Sequence, residues 1–289
     1  MAESIHKPTD ADIDQYGVTH VGKVRKENQD HFLISTLSKH MRVDQTSLPG
    51  IEGLTSSTER VAWLAMVADG VGSGAGEEAA RFALQAIAAY VARSAQAFYT
   101  ADATEPEGFA KLLEDAAMQC HADLLEHAAE EGKTGRLATT LTLWLGLWPQ
   151  AYVLQVGDSR LYIYHQGRLT QISRDQTMAE DLVEQGVLTR EHAAQTRWAH
   201  VLSSAIGGPE AAPVVTRIVR EWGTIVLLCS DGLTKHVSDE QIAERLGNLK
   251  SSKETAELLL QDALDGGGSD NITVLIGRTV PRTKAAEAS

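Results

Sequence analysis

Four aspartates in this sequence stand where buried strands should end. Asp69-Gly70 closes the apolar run Val61 to Ala68, and Asp158-Ser159 follows Ala151 to Val156. Asp231-Gly232 follows Thr224 to Cys229, and Asp270-Asn271 immediately precedes Ile272 to Ile276. Strand rims are adjacent in a packed sheet, so carboxylates gathered there repel one another unless a cation sits among them. Oxygen ligands, with no His or Cys at ligand spacing, suit a hard ion such as Mg²⁺ or Mn²⁺ rather than zinc. Each pair taken singly has a plainer explanation, because Asp bonds its own backbone and such dipeptides make turns. The recurrence at four strand ends is what points to a cation.

Two further segments place polar residues where they could act. Arg25 and Asp30 lie in the charged stretch Gly22 to His31, ahead of the apolar Phe32-Leu33-Ile34. Arg is the side chain best shaped to fork onto a phosphate, although a strand leaving a charged loop explains the polarity equally well. The run Asp69-Gly70-Val71-Gly72-Ser73-Gly74-Ala75-Gly76 lies between a strand and a helix, as nucleotide-phosphate loops do. It lacks a following Gly-Lys-Ser/Thr, and no acid falls about 20 residues on to hold a ribose. Its glycines more simply let backbone approach an ion or its waters.

The four apolar runs are hydrophobic on both alternating faces, which predicts strands covered on both sides. Helical periodicity predicts helices over Glu77 to Ala97 and Pro106 to Glu130, packed as an antiparallel pair. Ala138 to Trp148, Ala151 to Val156 and Arg160 to Tyr164 then follow at short intervals as a meander, with a hairpin turn at Tyr164 to Arg168. Ser238 and Gln241 form a capping box for a helix to Leu246, and a last helix is expected over Ser252 to Leu264. Consecutive strands beside segregated helices argue for an α+β fold rather than simple βαβ winding.

With 289 residues and 43% hydrophobic content, the chain can bury a real core. No repeat or internal linker divides it, so one domain over residues 15–280 is expected. Residues 1–14 and 281–289 are expected as tails, and the polar stretch Ser38 to Arg60 as loop. A formal charge of −13 disfavours nucleic acid and anionic membrane as partners, and means that any phosphate ligand needs a local cation. Cys120 and Cys229 lie in apolar segments with no disulfide or zinc spacing, which fits a reducing cytoplasm. No run reaches the length of a membrane span, and no export signal is expected at the N-terminus.

Arg25-x-x-Asn28-Gln29-Asp30, Asp69-Gly70-x-Gly72, Thr139-Thr140, Gly157-Asp158-Ser159-Arg160, Ser230-Asp231-Gly232-Leu233 and Asp270-Asn271 occur in this order. Together they resemble the motifs of metal-dependent serine/threonine protein phosphatases, the type 2C (PPM) family, and most of all its compact bacterial members. The resemblance runs from about Tyr16 to Arg278. It implies a four-layer α-β-β-α sandwich of two antiparallel β-sheets flanked by helix pairs. It also implies hydrolysis of phosphoserine and phosphothreonine on proteins, with phosphotyrosine a further candidate, in opposition to a serine/threonine kinase in signal transduction.

By the same resemblance, Asp69 would bridge two Mn²⁺ or Mg²⁺ ions, the Gly70 carbonyl would hold one, and Asp231 and Asp270 would complete the other. Asp30 would act through metal-bound water, and Arg25 would hold the substrate phosphate. Asp158 would bind a third, weaker ion, against a rival role as the cap of its own turn. A monomer acting on phosphorylated proteins is expected. Val71 stands where eukaryotic members carry a histidine proposed as general acid, Ser73 replaces a glycine, and Ser203-Ser204 replaces the commoner Thr-Arg. Asp175 to His200 corresponds to the variable flap of bacterial members, or is simply a helix packed on the core. Two other functions stay open: a degenerate member that binds phosphoproteins without turnover, and a hydrolase of small phosphate esters.

Overall fold

The computed structural model describes residues 7–38, 41–47, 62–72, 75–100 and 106–280. Val61, Ser73, most of the stretch from Ser38 to Arg60 and the tail 281–289 lie outside them. Strands β1 (Ile13–His20), β2 (Asp30–Leu37), β3 (Met41–Thr46) and β4 (Ala62–Val71) lead into two long helices, α1 (Gly76–Thr100) and α2 (Pro106–Glu130). A run of strands follows: β5 (Ala138–Thr139), β6 (Leu141–Leu147), β7 (Gln150–Val156), β8 (Arg160–His165) and β9 (Arg168–Gln171). Short helices α3 (Met178–Glu184) and α4 (Arg190–Ala194) precede β10 (Val214–Val219) and β11 (Ile225–Cys229). The chain closes with α5 (Asp231–Thr234), α6 (Asp239–Gly247), α7 (Ser252–Asp265) and β12 (Ile272–Thr279).

β4 shows why the central runs are apolar throughout. Leu64, Met66 and Ala68 face α1 and α2, where they meet Leu84, Ile87, Leu113 and Leu124. Trp63, Ala65 and Val67 point the opposite way, onto Val226, Leu228 and Leu275 of a second sheet. Strand residues alternate between faces, so a strand with helices on one side and a sheet on the other must be hydrophobic at every position. The same division holds in β11: Ile225, Leu227 and Cys229 lie under Leu233, Ile242 and Leu259 on the α5–α7 side, while Val226 and Leu228 face inward.

The layers are therefore α1 and α2, a seven-stranded sheet, a five-stranded sheet, then α6 and α7. One sheet has the order β10-β7-β6-β4-β2-β3 with β5 paired to β4, the other β1-β12-β11-β8-β9, and all pairings are antiparallel. This is the expected α-β-β-α sandwich. The hairpin turn falls at Gln166 and Gly167, both at positive φ as a tight two-residue turn requires, and Ser238 with Gln241 forms the capping box of α6.

Among the described residues, the loop expected from Ser38 to Arg60 holds a strand, Met41–Thr46, which pairs with β2 as the sheet's edge. Edge strands bury one face at most, so a polar composition hides them from a hydrophobicity reading. The five-stranded sheet also takes in Ile13 and Asp14, inside the tail expected over residues 1–14. Asp14 accepts hydrogen bonds from Arg278 Nε and the Ser252 amide, both at 2.9 Å.

Candidate active site

The register of the seven-stranded sheet sets Asp30, the first residue of β2, directly opposite Asp69 near the end of β4. In the other sheet β11 and β12 are neighbours; Asp231 follows the end of one and Asp270 precedes the start of the other. Asp158 leaves the end of β7. The five carboxylates, contributed by both sheets, lie close enough that Asp69 feels the charges of all four others.

Asp30 joins the two layers. It is buried, and its Oδ2 accepts hydrogen bonds from Ser230 Oγ and Thr273 Oγ1, both at 2.7 Å. Its Oδ1 is buried and has no partner among the described residues. Burial pushes its pKa up to about 7; the two hydroxyl bonds oppose the shift, and Asp231 and Asp270 add to it. Asp69 is raised well above the usual carboxylate range by burial, then by Asp30, Asp231, Asp158 and Asp270.

The Asp69 backbone is held by Thr139 and Thr140. Its carbonyl accepts from Thr139 Oγ1 and the Thr140 amide, both at 2.9 Å, and its amide donates to Thr140 Oγ1 at 3.0 Å. Gly70 lies against Gly76 at the start of α1, where a Cβ on either residue would overlap the other's backbone. Glycine here thus brings the helix start against the rim that carries Asp69.

Asp270 is the most heavily paired of the five. Arg25 grips it with Nε 2.7 Å from Oδ1 and a terminal nitrogen 2.9 Å from Oδ2, and Lys235 Nζ lies 2.7 Å from Oδ2. Burial pushes its pKa up, but the bonds from Arg25 and Lys235 outweigh that and hold it below the usual range. Lys235 Nζ also lies 2.6 Å from Asp231 Oδ2, and Asp231 Oδ1 is a second buried oxygen without a partner among the described residues. Asp158 is raised to about 7 by burial, then by Asp231 and Asp175, and its carboxylate bonds its own backbone amide.

The structure thus brings together Asp30, Asp69, Asp158, Asp231 and Asp270, with Gly70 beside them. It places Arg25 on Asp270, with its side chain still 55% exposed. Three features went unread in the sequence. Lys235 spans Asp231 and Asp270; its i,i+4 spacing from Asp231 was visible but is ordinary on any helix. Ser230 and Thr273 fix Asp30. Asn271 anchors the loop that carries Arg25, donating to the carbonyls of Val21 and Glu27 and accepting from the Gln29 amide, all at 2.9 Å.

Among the described residues, no three His, Cys, Asp or Glu side chains already stand as a metal-holding group. The donor set nevertheless suits a hard divalent ion: it is all oxygen, five carboxylates face the two cations Arg25 and Lys235, and two buried oxygens lack partners. A cavity of about 620 Å³ opens beside the cluster, lined by Asp158, Asp231 and Lys235 together with Arg174, Arg190 and His200. The segment Asp175 to His200 folds as α3, α4 and a 3₁₀ turn at Arg197–His200, which pack on one another and border this cavity.

A protein-family profile described as Protein phosphatase 2C matches residues 51–266. The serine/threonine protein phosphatase PstP of Mycobacterium tuberculosis is 35% identical over 219 residues, which is 75% of this chain and 40% of that protein. The match thus covers about two fifths of the length of this relative. A Streptococcus agalactiae serine/threonine phosphatase superposes with a TM-score of 0.77 at 24% identity, covering 93% of this chain and 100% of that one, a likeness of fold. The catalytic domain of a phosphatase PstP, solved in complex with two manganese ions, superposes at 0.67 with 28% identity over 93% of this chain and 99% of that one.

Proposed function

This chain belongs to the protein phosphatase 2C family, and from that premise we propose that it is a metal-dependent phosphatase acting on phosphoserine and phosphothreonine in proteins. The observation that carries this reading is the rim of five carboxylates with two buried oxygens, Asp30 Oδ1 and Asp231 Oδ1, that have no partner among the described residues. Asp69, the Gly70 carbonyl, Asp231 and Asp270 would hold two Mn²⁺ or Mg²⁺ ions, and Asp158 a weaker third. When bound, such a pair supplies a water acidic enough to attack phosphorus near neutral pH and offsets the charge of the phosphoryl oxygens.

The remaining work falls to the chain's own side chains. Ser230 and Thr273 fix one oxygen of Asp30, leaving Oδ1 to orient a water and accept its proton. Arg25, whose side chain is about half exposed and whose guanidinium is held at the rim by Asp270, would pair with a phosphate group. Thr139 and Thr140 keep Asp69 in place while its charge environment changes. Val71 offers no proton, so the leaving alkoxide takes one from water or another group.

The partners in this reading are phosphoproteins made by a serine/threonine kinase, met by a monomer in the cytoplasm. Among the described residues, no helix is long and apolar enough to cross a membrane. The test is phosphate release, in the presence of Mn²⁺, from phosphothreonine, phosphoserine and phosphotyrosine peptides beside sugar phosphates and nucleotides. Preference for the first two peptides supports the reading. Turnover confined to the small esters overturns the substrate class, and no turnover of any compound leaves a phosphoprotein-binding member.

A further inference from the structure

Lys235 is a charged member of this site that no motif above assigns. Its ammonium lies 2.6 Å from Asp231 Oδ2 and 2.7 Å from Asp270 Oδ2, bridging the two carboxylates expected to share an ion. The side chain is only 25% exposed, and the residue caps the C-terminus of α5 one helical turn after Asp231, its amide bonded to the Asp231 carbonyl. An ammonium and a divalent ion held on the same two carboxylate oxygens would stand close enough to repel strongly, so each weakens the other's hold on them. The adjoining cavity, which Lys235 lines together with Thr234 and Asp239, gives the ammonium room to swing aside without moving backbone.

Resting on the metal-dependent reading above, we propose that Lys235 is a tethered competitor for the ion shared by Asp231 and Asp270. It pairs these carboxylates when divalent ion is scarce and is expelled when the ion binds. Two consequences follow. The crowded rim is stabilised without metal, because a fixed positive charge offsets part of its repulsion. The second ion binds more weakly than it would beside a neutral side chain, so loading responds to a higher range of divalent-ion concentration.

The test is calorimetric titration of chelator-stripped protein with Mn²⁺, comparing wild type, Lys235→Gln and Lys253→Gln. Lys253 lies 3.9 Å from Glu257 on an exposed helix face, and its variant loses the same unit of charge away from the rim. Lys235→Gln should bind the ion shared by Asp231 and Asp270 about tenfold or more tighter than wild type, a difference of about 1.4 kcal/mol, and should melt lower when stripped. Lys253→Gln should do neither. Acylation of lysines followed by peptide mass spectrometry supplies a second readout: modification of Lys235 should rise when Mn²⁺ is added to the wild type. Unchanged or weaker binding by Lys235→Gln, with wild type still binding Mn²⁺, overturns the competitor and leaves the metal-dependent reading standing. Failure of both wild type and Lys235→Gln to bind Mn²⁺ overturns that reading itself.

Discussion

Asp69→Asn should separate stability from activity. The side chain faces four other carboxylates, and burial together with their charges raises its pKa well above the ordinary range. At pH 7 the penalty on such a group cannot exceed the cost of protonating it. That cost is about 1.4 kcal/mol for each of the roughly three pH units between its unfolded pKa and the buffer, about 4 kcal/mol in all. The neutral amide removes this penalty but brings an N–H pair that must find partners, returning about 1–3 kcal/mol. A net gain of at most about 1–3 kcal/mol remains for the stripped protein, a rise of up to roughly 5 °C in melting temperature for a chain of this length. Turnover should collapse, because the carboxylate proposed to hold both ions is gone, and added Mn²⁺ should no longer raise the melting point as it is expected to in wild type. Scanning calorimetry with and without chelator, beside kcat at saturating Mn²⁺, decides the matter. A stripped variant that melts below wild type, or one that retains near wild-type kcat, refutes the reasoning.

The rim also sets a pH dependence. The folded state keeps protons on Asp30 and Asp158 that the unfolded chain has lost, so these groups destabilise increasingly from about pH 4 to about pH 7 and fully above it, and Asp69, raised by burial and its neighbours, acts in the same direction. Asp270, held low, adds stability that is lost only as the pH falls through the acid range. Stripped protein should therefore melt lower at about pH 8 than at about pH 5.5, with the increment from Mn²⁺ larger at the higher pH; melting curves with an increment independent of pH would count against this. Arg25→Ala should raise KM for phosphopeptide more than it weakens Mn²⁺ binding, since a phosphate fork is lost and no ligand is; steady-state kinetics beside calorimetry would show an unchanged KM if Arg25 served only Asp270. Asn271→Ala deletes three hydrogen bonds that anchor the 21–29 loop and should cost about 2–4 kcal/mol by denaturant melts; a loss below about 0.5 kcal/mol would mean the loop is held elsewhere.

What could be read from the residues follows from how each element is buried. β4, β7, β11 and β12 are covered on both faces, so continuous apolar runs mark them, and α2 runs from Pro106 to Glu130 as its periodicity predicts. β3 and β10 are edge strands, and Val214 and Val219 of β10 are largely exposed, so composition gave them no outline. The acids at strand ends are legible because turn chemistry and strand length fix where each one falls. Their meeting across two sheets is not, since it depends on how β2, β4, β11 and β12 are stacked. Lys235 marks that boundary. Its partner Asp231 lies one turn away in sequence, whereas Asp270 is 35 residues distant and arrives only through the pairing of β11 with β12.

The central claim is that turnover depends on a divalent ion held by this rim. The most direct measurement strips the protein exhaustively with chelator, then follows phosphate release from a phosphothreonine peptide as Mn²⁺ is returned. The account predicts no release from the stripped protein and recovery that saturates with added Mn²⁺, abolished by Asp69→Asn. Full turnover after exhaustive chelation would contradict it.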